Sequence, residues 1–391
     1  MKTTFFCSTA SVFAVLACGA GLAASPARKP LPMKASPPRT FTYQNPEPVG
    51  VVNGLRDPYV FQVDGVYYMT GTGKPFFELN YAKMGSPLGV PLYSSPDLKA
   101  WKFEGTIIPR VAGTWYQDRF WAPEIHVKQT PGGRKFYCTV SCYNQDQPPQ
   151  GHAPQGVLLA VADRVTGPYT ILTPDKPLTN GNDADLFTDD DGRDYLFIAG
   201  CVAMPIDLEH ARVTGLSWPV IGNGAPTDWD TGPGIGREGP EVIKIGRTYY
   251  CFYSSWGRGY EVGYATATNI RGPWTKYALN PIYGAQNKAA CDHFHKTFTQ
   301  APDVPYGEVG HGQPFVGPDG RWWISAHFGQ HPQPPQAAGY HGWEQPGYDP
   351  LNYKGGVFLP TQPTWTPQTV MLPAAPASLS IKKSVPHSKA R

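Results

Sequence analysis

The chain has 391 residues, 41% of them hydrophobic and 16% charged, with a formal net charge of +3. Gly and Pro each number 43, roughly twice the usual share for Pro, which excludes a protein of long helices and favours many turns. The positive charge sits at the ends, on Lys2, Arg28, Lys29, Lys34 and Arg39 and on Lys382, Lys383, Lys389 and Arg391. Residues 41–380 therefore carry a net −6, which argues against a nucleic-acid surface.

From the start, Met1-Lys2, an apolar run over Phe5–Ala17 and the small residues Ala23-Ala24-Ser25 predict a secretory signal peptide over 1–24. The run is too short for an ordinary bilayer span, and no later stretch is long and apolar enough for a transmembrane helix. Val15-Leu16-Ala17-Cys18 also fits a lipoprotein box with Cys18 as the lipidated residue, so the expected location is secreted or periplasmic. Residues 25–45, rich in Pro, predict an extended linker, and 373–391 a disordered basic tail.

Between these ends one hairpin recurs five times. Asp57-Pro58-Tyr59-Val60-Phe61 turns at Asp64-Gly65 into Val66-Tyr67-Tyr68-Met69. Trp121-Ala122-Pro123-Glu124-Ile125-His126 turns at Gly132-Gly133 into Phe136-Tyr137-Cys138. Asp183-Ala184-Asp185-Leu186-Phe187 turns at Asp191-Gly192 into Tyr195-Leu196-Phe197. Arg237-Glu238-Gly239-Pro240-Glu241 opens the fourth unit, and Gly310-His311-Gly312-Gln313-Pro314 the fifth. A period of about 60 residues, with several strand signals in each unit, predicts four-stranded antiparallel blades. The expected fold is all-β: a single five-bladed β-propeller over 46–372.

Five cysteines lie beyond the signal peptide, at 138, 142, 201, 251 and 291. Cys138 and Cys142 share one predicted strand and are too far apart to bridge. Most of the five read as small buried apolar residues, with room for one disulfide between blades and none for a disulfide framework. Long irregular stretches are expected at 74–91, 143–156, 277–309 and 329–356. The last holds His331, Gln333, Tyr340, His341, Trp343 and Tyr348, and reads either as a rim loop over a substrate or as a closing segment under the propeller.

In a propeller the innermost strand of each blade lines the axis. Asp57, Asp183 and Glu238 open their repeats and His311 nearly opens the fifth, so these four are predicted to converge at one end of the channel. Gathered carboxylates raise one another's pKa and cost stability, which points to chemistry. Asp185 rivals Asp183 as the third carboxylate. Glu241, three residues past Glu238, should face the other way on a regular strand and reads as structural. Glu124 and His126 are weaker candidates for a role at the site.

Taken together, Arg56-Asp57-Pro58, Trp121-Ala122-Pro123-Glu124, Asp183 to Gly192, Glu238-Gly239-Pro240 and Gly310-His311-Gly312 resemble family 43 glycoside hydrolases, in order and over nearly the whole chain after the linker. The resemblance implies an inverting hydrolase of arabinose- or xylose-containing glycans, with Asp57 as general base, Glu238 as general acid and Asp183 tuning the acid. It implies a calcium ion on the propeller axis, held through water by His311, and no organic cofactor. Arg56, Trp121 and His327 are expected to bind the substrate. The partner is an oligo- or polysaccharide, and no feature of the sequence sets an oligomeric state. A fructan, an algal anhydrogalactose oligosaccharide or a non-catalytic sugar-binding propeller are the alternatives.

Overall fold

The computed structural model describes residues 39–46, 54–73, 89–144, 146, 155–222, 224–225, 228–330 and 344–373. The signal peptide with Cys18, most of the linker, the basic tail after 373 and the rim-loop residues 331–343 lie outside the described residues. What is described is mostly β, with one short helix at Lys288–His293.

Each repeat is a meander of antiparallel strands. Blade one runs Arg56–Val63, Val66–Thr72, Gly89–Ser95 and Lys102–Pro109. Blade two runs Asp118–Thr130, Gly133–Tyr143, Gly156–Ala162 and Thr170–Ile171. Blade three starts at Asp185–Thr188, and blade four runs from Arg237–Ile245 to Thr275–Lys276. Blade five shows Tyr306–Val316, Trp322–Gln330 and Glu344–Pro350 among the described residues. The turns follow from chemistry: Asp64 (φ 51°) and Gly65 (φ 81°) are both left-handed, the conformation that closes a two-residue hairpin without splaying its strands.

The stretch 277–309, expected to be irregular, is the joint between blades four and five. Tyr283–Gln286 pairs with the third strand of blade four over Gly259–Val262, and Ala285 pairs with Val309 of blade five. The short helix follows, its first turn capped by Asn287, whose side chain accepts from Ala289 N and Ala290 N.

The apolar core is divided into five clusters, one at each joint between neighbouring blades. Leu92 and Ile108 of blade one meet Phe120 and Val140 of blade two, and Leu159 of blade two meets Leu196 of blade three. Phe197 of blade three meets Tyr253 of blade four, while Phe252 of blade four meets Phe328 of blade five. Cysteines 138, 142, 201, 251 and 291 are all free and buried. The first four pack within these clusters as small apolar residues.

The fifth joint closes the ring, and there the structure departs from the expected linker over 25–45. Thr40–Tyr43 is a strand paired with Gln368–Met371 from the other end of the fold. Its alternation puts Phe41 and Tyr43 inward, where both rings meet Trp323. Tyr43 also donates to Asp349 Oδ1 at 3.0 Å, and the Asn45 amide bonds both the N–H and the carbonyl of Tyr348. Tyr348, in the stretch read either as a rim loop or as a closing segment, is a core residue of blade five with no exposure. Two aromatic residues hidden in a Pro-rich context overcame the composition signal. Phe41→Ala should lower the unfolding free energy by about 3 kcal/mol, as for a buried aromatic. In a urea titration a change under about 0.5 kcal/mol, the level of a surface residue, would place this strand off the core.

Candidate active site

The innermost strands share a backbone irregularity. Asp57, Ala122, Asp183, Gly239 and His311 have φ of 51°, 41°, 51°, 53° and 52°. Four of these inner strands slip register across that point, between Arg56 and Tyr59, Trp121 and Glu124, Glu238 and Glu241, and Gly310 and Gln313. Asp183 stands just before its strand begins. A left-handed residue with side chain costs about 1–2 kcal/mol, least for Asp, Asn and His. Pro58, Pro123 and Pro240 come next, where the interrupted ladder demands no N–H.

This bulge sets the site. Asp57, Asp183 and His311 occupy the left-handed position, whereas Glu238 sits one residue earlier, level with Arg56, Trp121 and Asn182. The matching left-handed residue in blade four is Gly239, and it must be glycine. A Cβ there would lie 2.9 Å from His311 Nε2. Because the bulge adds a residue, Glu241 also turns to the axis instead of facing away from it.

A cavity of about 160 Å³ is lined by Arg56, Asp57, Thr72, Trp121, Asn182, Asp183, Glu238 and His311. Asp57, Asp183, Glu238 and His311 thus meet as the repeat argument expects, and Arg56 and Trp121, expected from the resemblance, line the same cavity. His327 does not line it. It lies fully buried behind Asp57, its Nδ1 3.4 Å from Asp57 Oδ1 and its ring against Tyr260. Its place is beside the carboxylate rather than in the cavity, because it projects from the second strand of blade five. Asp185 is also absent from the lining. Sequence reasoning missed Thr72 and Asn182. Asn182 was legible as the residue before Asp183, matching Arg56, Trp121 and Glu238, once the shared bulge is known.

Asp57 is held from every side. Thr72 donates its hydroxyl to Oδ2 at 2.6 Å and accepts from Ala122 N at 2.7 Å, tying the carboxylate to blade two. Arg56 Nε lies 3.3 Å from Oδ1, and the same guanidinium donates to the buried Glu344. Burial alone would push Asp57 up, but His311, then Arg56 and His327, outweigh it and hold the carboxyl far below the usual range. Asp57 is therefore ionised.

Asp183 behaves oppositely. Burial, then the neighbouring Glu238, push it up to about 7, against the pull of His311 and the Gly239 N–H, which donates to Oδ2 at 3.4 Å. Ser141 fixes its backbone by accepting from Asp183 N at 2.8 Å. His311 stands among the acids, its Nδ1 3.3 Å from Asp57 Oδ1 and 3.6 Å from Glu238 Oε1. Burial opposes its charge, yet Asp57, Glu238 and Asp183 together raise it to about 9. His327, by contrast, is lowered by burial and by Arg56. Trp121 forms one wall, its ring 4.4 Å from the Arg119 guanidinium.

Two groups on the axis have donor atoms close enough to hold a metal ion: Asp183, Glu238 and His311, and the fully buried Glu124, Asp185 and Glu241. In the second group, burial and then neighbouring carboxylates push Glu124 and Glu241 well above the usual range, while burial pushes Asp185 up to about 7 against hydrogen bonds from Val242 N and Glu241.

The family model for glycosyl hydrolases family 43 matches residues 44–358. The chain belongs to this family. It is 24% identical over 301 residues to the non-reducing end α-L-arabinofuranosidase BoGH43B of Bacteroides ovatus, covering 72% of this chain and 47% of that protein. It is 30% identical over 223 residues to a β-D-galactofuranosidase of Aspergillus niger, covering 53% of this chain and 61% of that protein. The chain thus spans about half to three-fifths of these relatives. A thermostable family-43 glycoside hydrolase of known structure superposes with a TM-score of 0.64 at 25% identity, covering 85% of this chain and all of that one. The five-bladed propeller of family 43 is the fold described above.

The raised His311 predicts a pH effect on stability. Its folded pKa of about 9 exceeds the unfolded value of about 6.5. The imidazolium stabilisation is thus complete below about pH 6.5 and is lost as pH rises through 9. Wild-type unfolding free energy should fall by about 1–3 kcal/mol across that window. In His311→Asn, whose side chain tolerates the left-handed backbone, the fall should be smaller than in wild type, the remainder coming from the raised Asp183 and Asp185. Chemical denaturation at pH 6 and pH 9.5 measures both, and equal slopes would mean that His311 is neutral in the folded protein.

Proposed function

We propose that this family 43 hydrolase is secreted and cleaves arabinose- or xylose-containing glycans with inversion, using Asp57 as base and Glu238 as acid. The observation that carries the reading is the meeting, in one small cavity, of an ionised carboxylate and two further carboxylates around a histidine. Hydrolysis by inversion needs one carboxylate to activate water and one carboxylic acid to protonate the leaving oxygen, about 6.5–9.5 Å apart. The nearer oxygens of Asp57 and Glu238 both approach His311 Nδ1, which sets only an upper limit on their separation, so inversion rests on the family resemblance rather than on this distance.

Thr72 and Arg56 occupy Asp57 Oδ2 and flank Oδ1, fixing the carboxylate plane for a water above the anomeric carbon. Glu238, across His311, hands its proton to the departing oxygen. Asp183 is the positioning residue: its carboxyl stands beside Glu238, with Oδ2 held by the Gly239 N–H. Trp121 supplies a flat apolar wall for a sugar face. Water is the only co-reactant, so no organic cofactor is required.

A calcium ion held through water, as the family resemblance implies, would have Asp183, Glu238 and His311 as its nearest protein groups, with water supplying most of its shell. Calcium takes six to eight oxygen ligands, whereas this group offers one imidazole and two carboxylates, one of which must carry a proton to act as acid. In this reading the positive charge on the axis is the His311 imidazolium, and no step passes through a metal.

The arabinofuranosidase relative supports an arabinofuranoside as the first substrate to try, and the galactofuranosidase relative adds a hexofuranoside. The test panel is aryl α-L-arabinofuranoside, aryl β-D-xyloside, aryl β-D-galactofuranoside, arabinan, arabinoxylan, a fructan and an agar oligosaccharide. Asp57→Asn should lose about 10³-fold or more in kcat on every cleaved substrate. Glu238→Gln should lose as much on natural glycans and far less on a dinitrophenyl glycoside, whose leaving group needs no proton. NMR of the first-formed sugar should show the inverted anomer. Cleavage unaffected by Asp57→Asn would remove it as base, and glycan binding without cleavage would make the protein a sugar-binding propeller.

Thr72→Val removes only the hydroxyl that bridges Asp57 to blade two. It should lower kcat by about 10–100-fold with little change in KM, as for a lost positioning contact. Unchanged kcat would show that Arg56 alone suffices to hold the base.

A further inference from the structure

One buried charge near the cavity has no part in the acid–base pair. Glu344, at the start of the third strand of blade five, has no exposure, and an anion taken out of water is costly unless it is paired. It is paired with Arg56 of blade one, whose Nη1 donates to Oε1. The contact crosses the joint that closes the ring. The backbones hold it there: a Cβ at Gly54 (φ 79°) would lie 2.1 Å from the Glu344 carbonyl oxygen, so the chain entering Arg56 runs directly against Glu344.

A second grip on the guanidinium comes from blade four. Arg56 Cζ stands 5.2 Å from the centroid of the Tyr260 ring, within cation–π range. Tyr260 is buried and sits in a notch of the fifth inner strand, where a Cβ on Gly310 would come 2.0 Å from its Cδ1. The same ring meets His327, 4.8 Å between centroids. Neither Glu344 nor Tyr260 lines the cavity, so both act from behind Arg56.

The effect falls on Asp57. Its Oδ1 has Arg56 Nε at 3.3 Å, His311 Nδ1 at 3.3 Å and His327 Nδ1 at 3.4 Å, yet none of the three meets it in hydrogen-bond geometry. A guanidinium beside a carboxylate ordinarily closes to about 2.7–2.9 Å, often with two parallel bonds. Here Glu344 takes the hydrogen bond and Asp57 keeps the longer ion pair. Burial opposes the charge on Arg56, and Glu344 leads Asp57 in sustaining it. The shared guanidinium keeps Asp57 ionised without occupying the lone pairs of Oδ1.

We propose that Glu344 is a positioning residue for the base: it draws the Arg56 guanidinium, resting on Tyr260, away from a bidentate grip on Asp57, and so keeps Oδ1 able to take a proton from water. The oxygen of that water bonds the anomeric carbon while the leaving oxygen departs with the proton of Glu238. The base role of Asp57 proposed above is the premise. The base is then complete only when the fifth blade has met the first.

The experiment measures kcat and KM of the full chain on the substrate of the panel above that it cleaves fastest. Glu344→Gln keeps the shape and an oxygen for Arg56 but removes the charge. Its kcat should fall about 10–100-fold, with KM within about threefold of wild type. In Arg56→Met no guanidinium remains to be drawn away, so adding Glu344→Gln should change kcat by less than about twofold. Wild-type kcat in Glu344→Gln would overturn the proposal, and so would a loss that recurs in full on the Arg56→Met background, as a merely structural ion pair would give. Should Arg56→Met fail to fold with Glu344 left unpaired, Glu344→Asp decides. With the charge kept, its kcat should stay within about fivefold of wild type, and a loss as large as that of Glu344→Gln would overturn the proposal. Asp57→Asn in the same assay separates the two readings. Wild-type cleavage by Asp57→Asn would remove the base and this proposal with it, whereas wild-type kcat in Glu344→Gln beside an inactive Asp57→Asn would remove this proposal alone.

Discussion

The left-handed residue in every inner strand is the constraint on which the site depends. A regular strand alternates its side chains, so only every second residue would face the axis. One added residue per strand breaks that alternation, and consecutive positions such as Arg56 and Asp57 can then both line the cavity. It also splits the axis into two layers, an upper group around His311 and a lower ring around Glu124. The backbone cost of Asp57, Asp183 and His311 in this conformation is met by the apolar joints on either side, which leave the inner strands nowhere else to go.

Charge is handled differently in the two layers. Above, three carboxylates surround one histidine, and the anion nearest to Arg56 keeps its charge while Asp183 holds a proton near neutrality. One environment thus separates the protonation states of like groups, as sites with several carboxyls often do. Below, no described basic side chain compensates the acids, and burial raises all three above the usual carboxylate range.

The five hairpins, their order and the convergence of Asp57, Asp183, Glu238 and His311 were legible because the repeat is carried by local turn and strand chemistry. What was not legible depended on the bulge or on distant contacts. Glu241 read as outward because strand parity was assumed, and Thr72 lies on a second strand with no repeat signature. His327 read as a sugar contact because nothing local reveals that it packs behind Asp57. Thr40–Tyr43 read as linker because Pro-rich composition masks Phe41 and Tyr43, whose partners lie some three hundred residues away.

That last joint has a consequence for how the protein is made. Thr40–Tyr43 leaves the ribosome before the first blade, but its partner Gln368–Met371 and the ring of Trp323 follow only after four blades. Four joints can form between neighbours as synthesis proceeds, while the fifth cannot form until Trp323 and Gln368–Met371 have been made. The arc of blades must therefore keep two apolar edges open throughout its synthesis, and the molecule becomes a closed ring in a single late step.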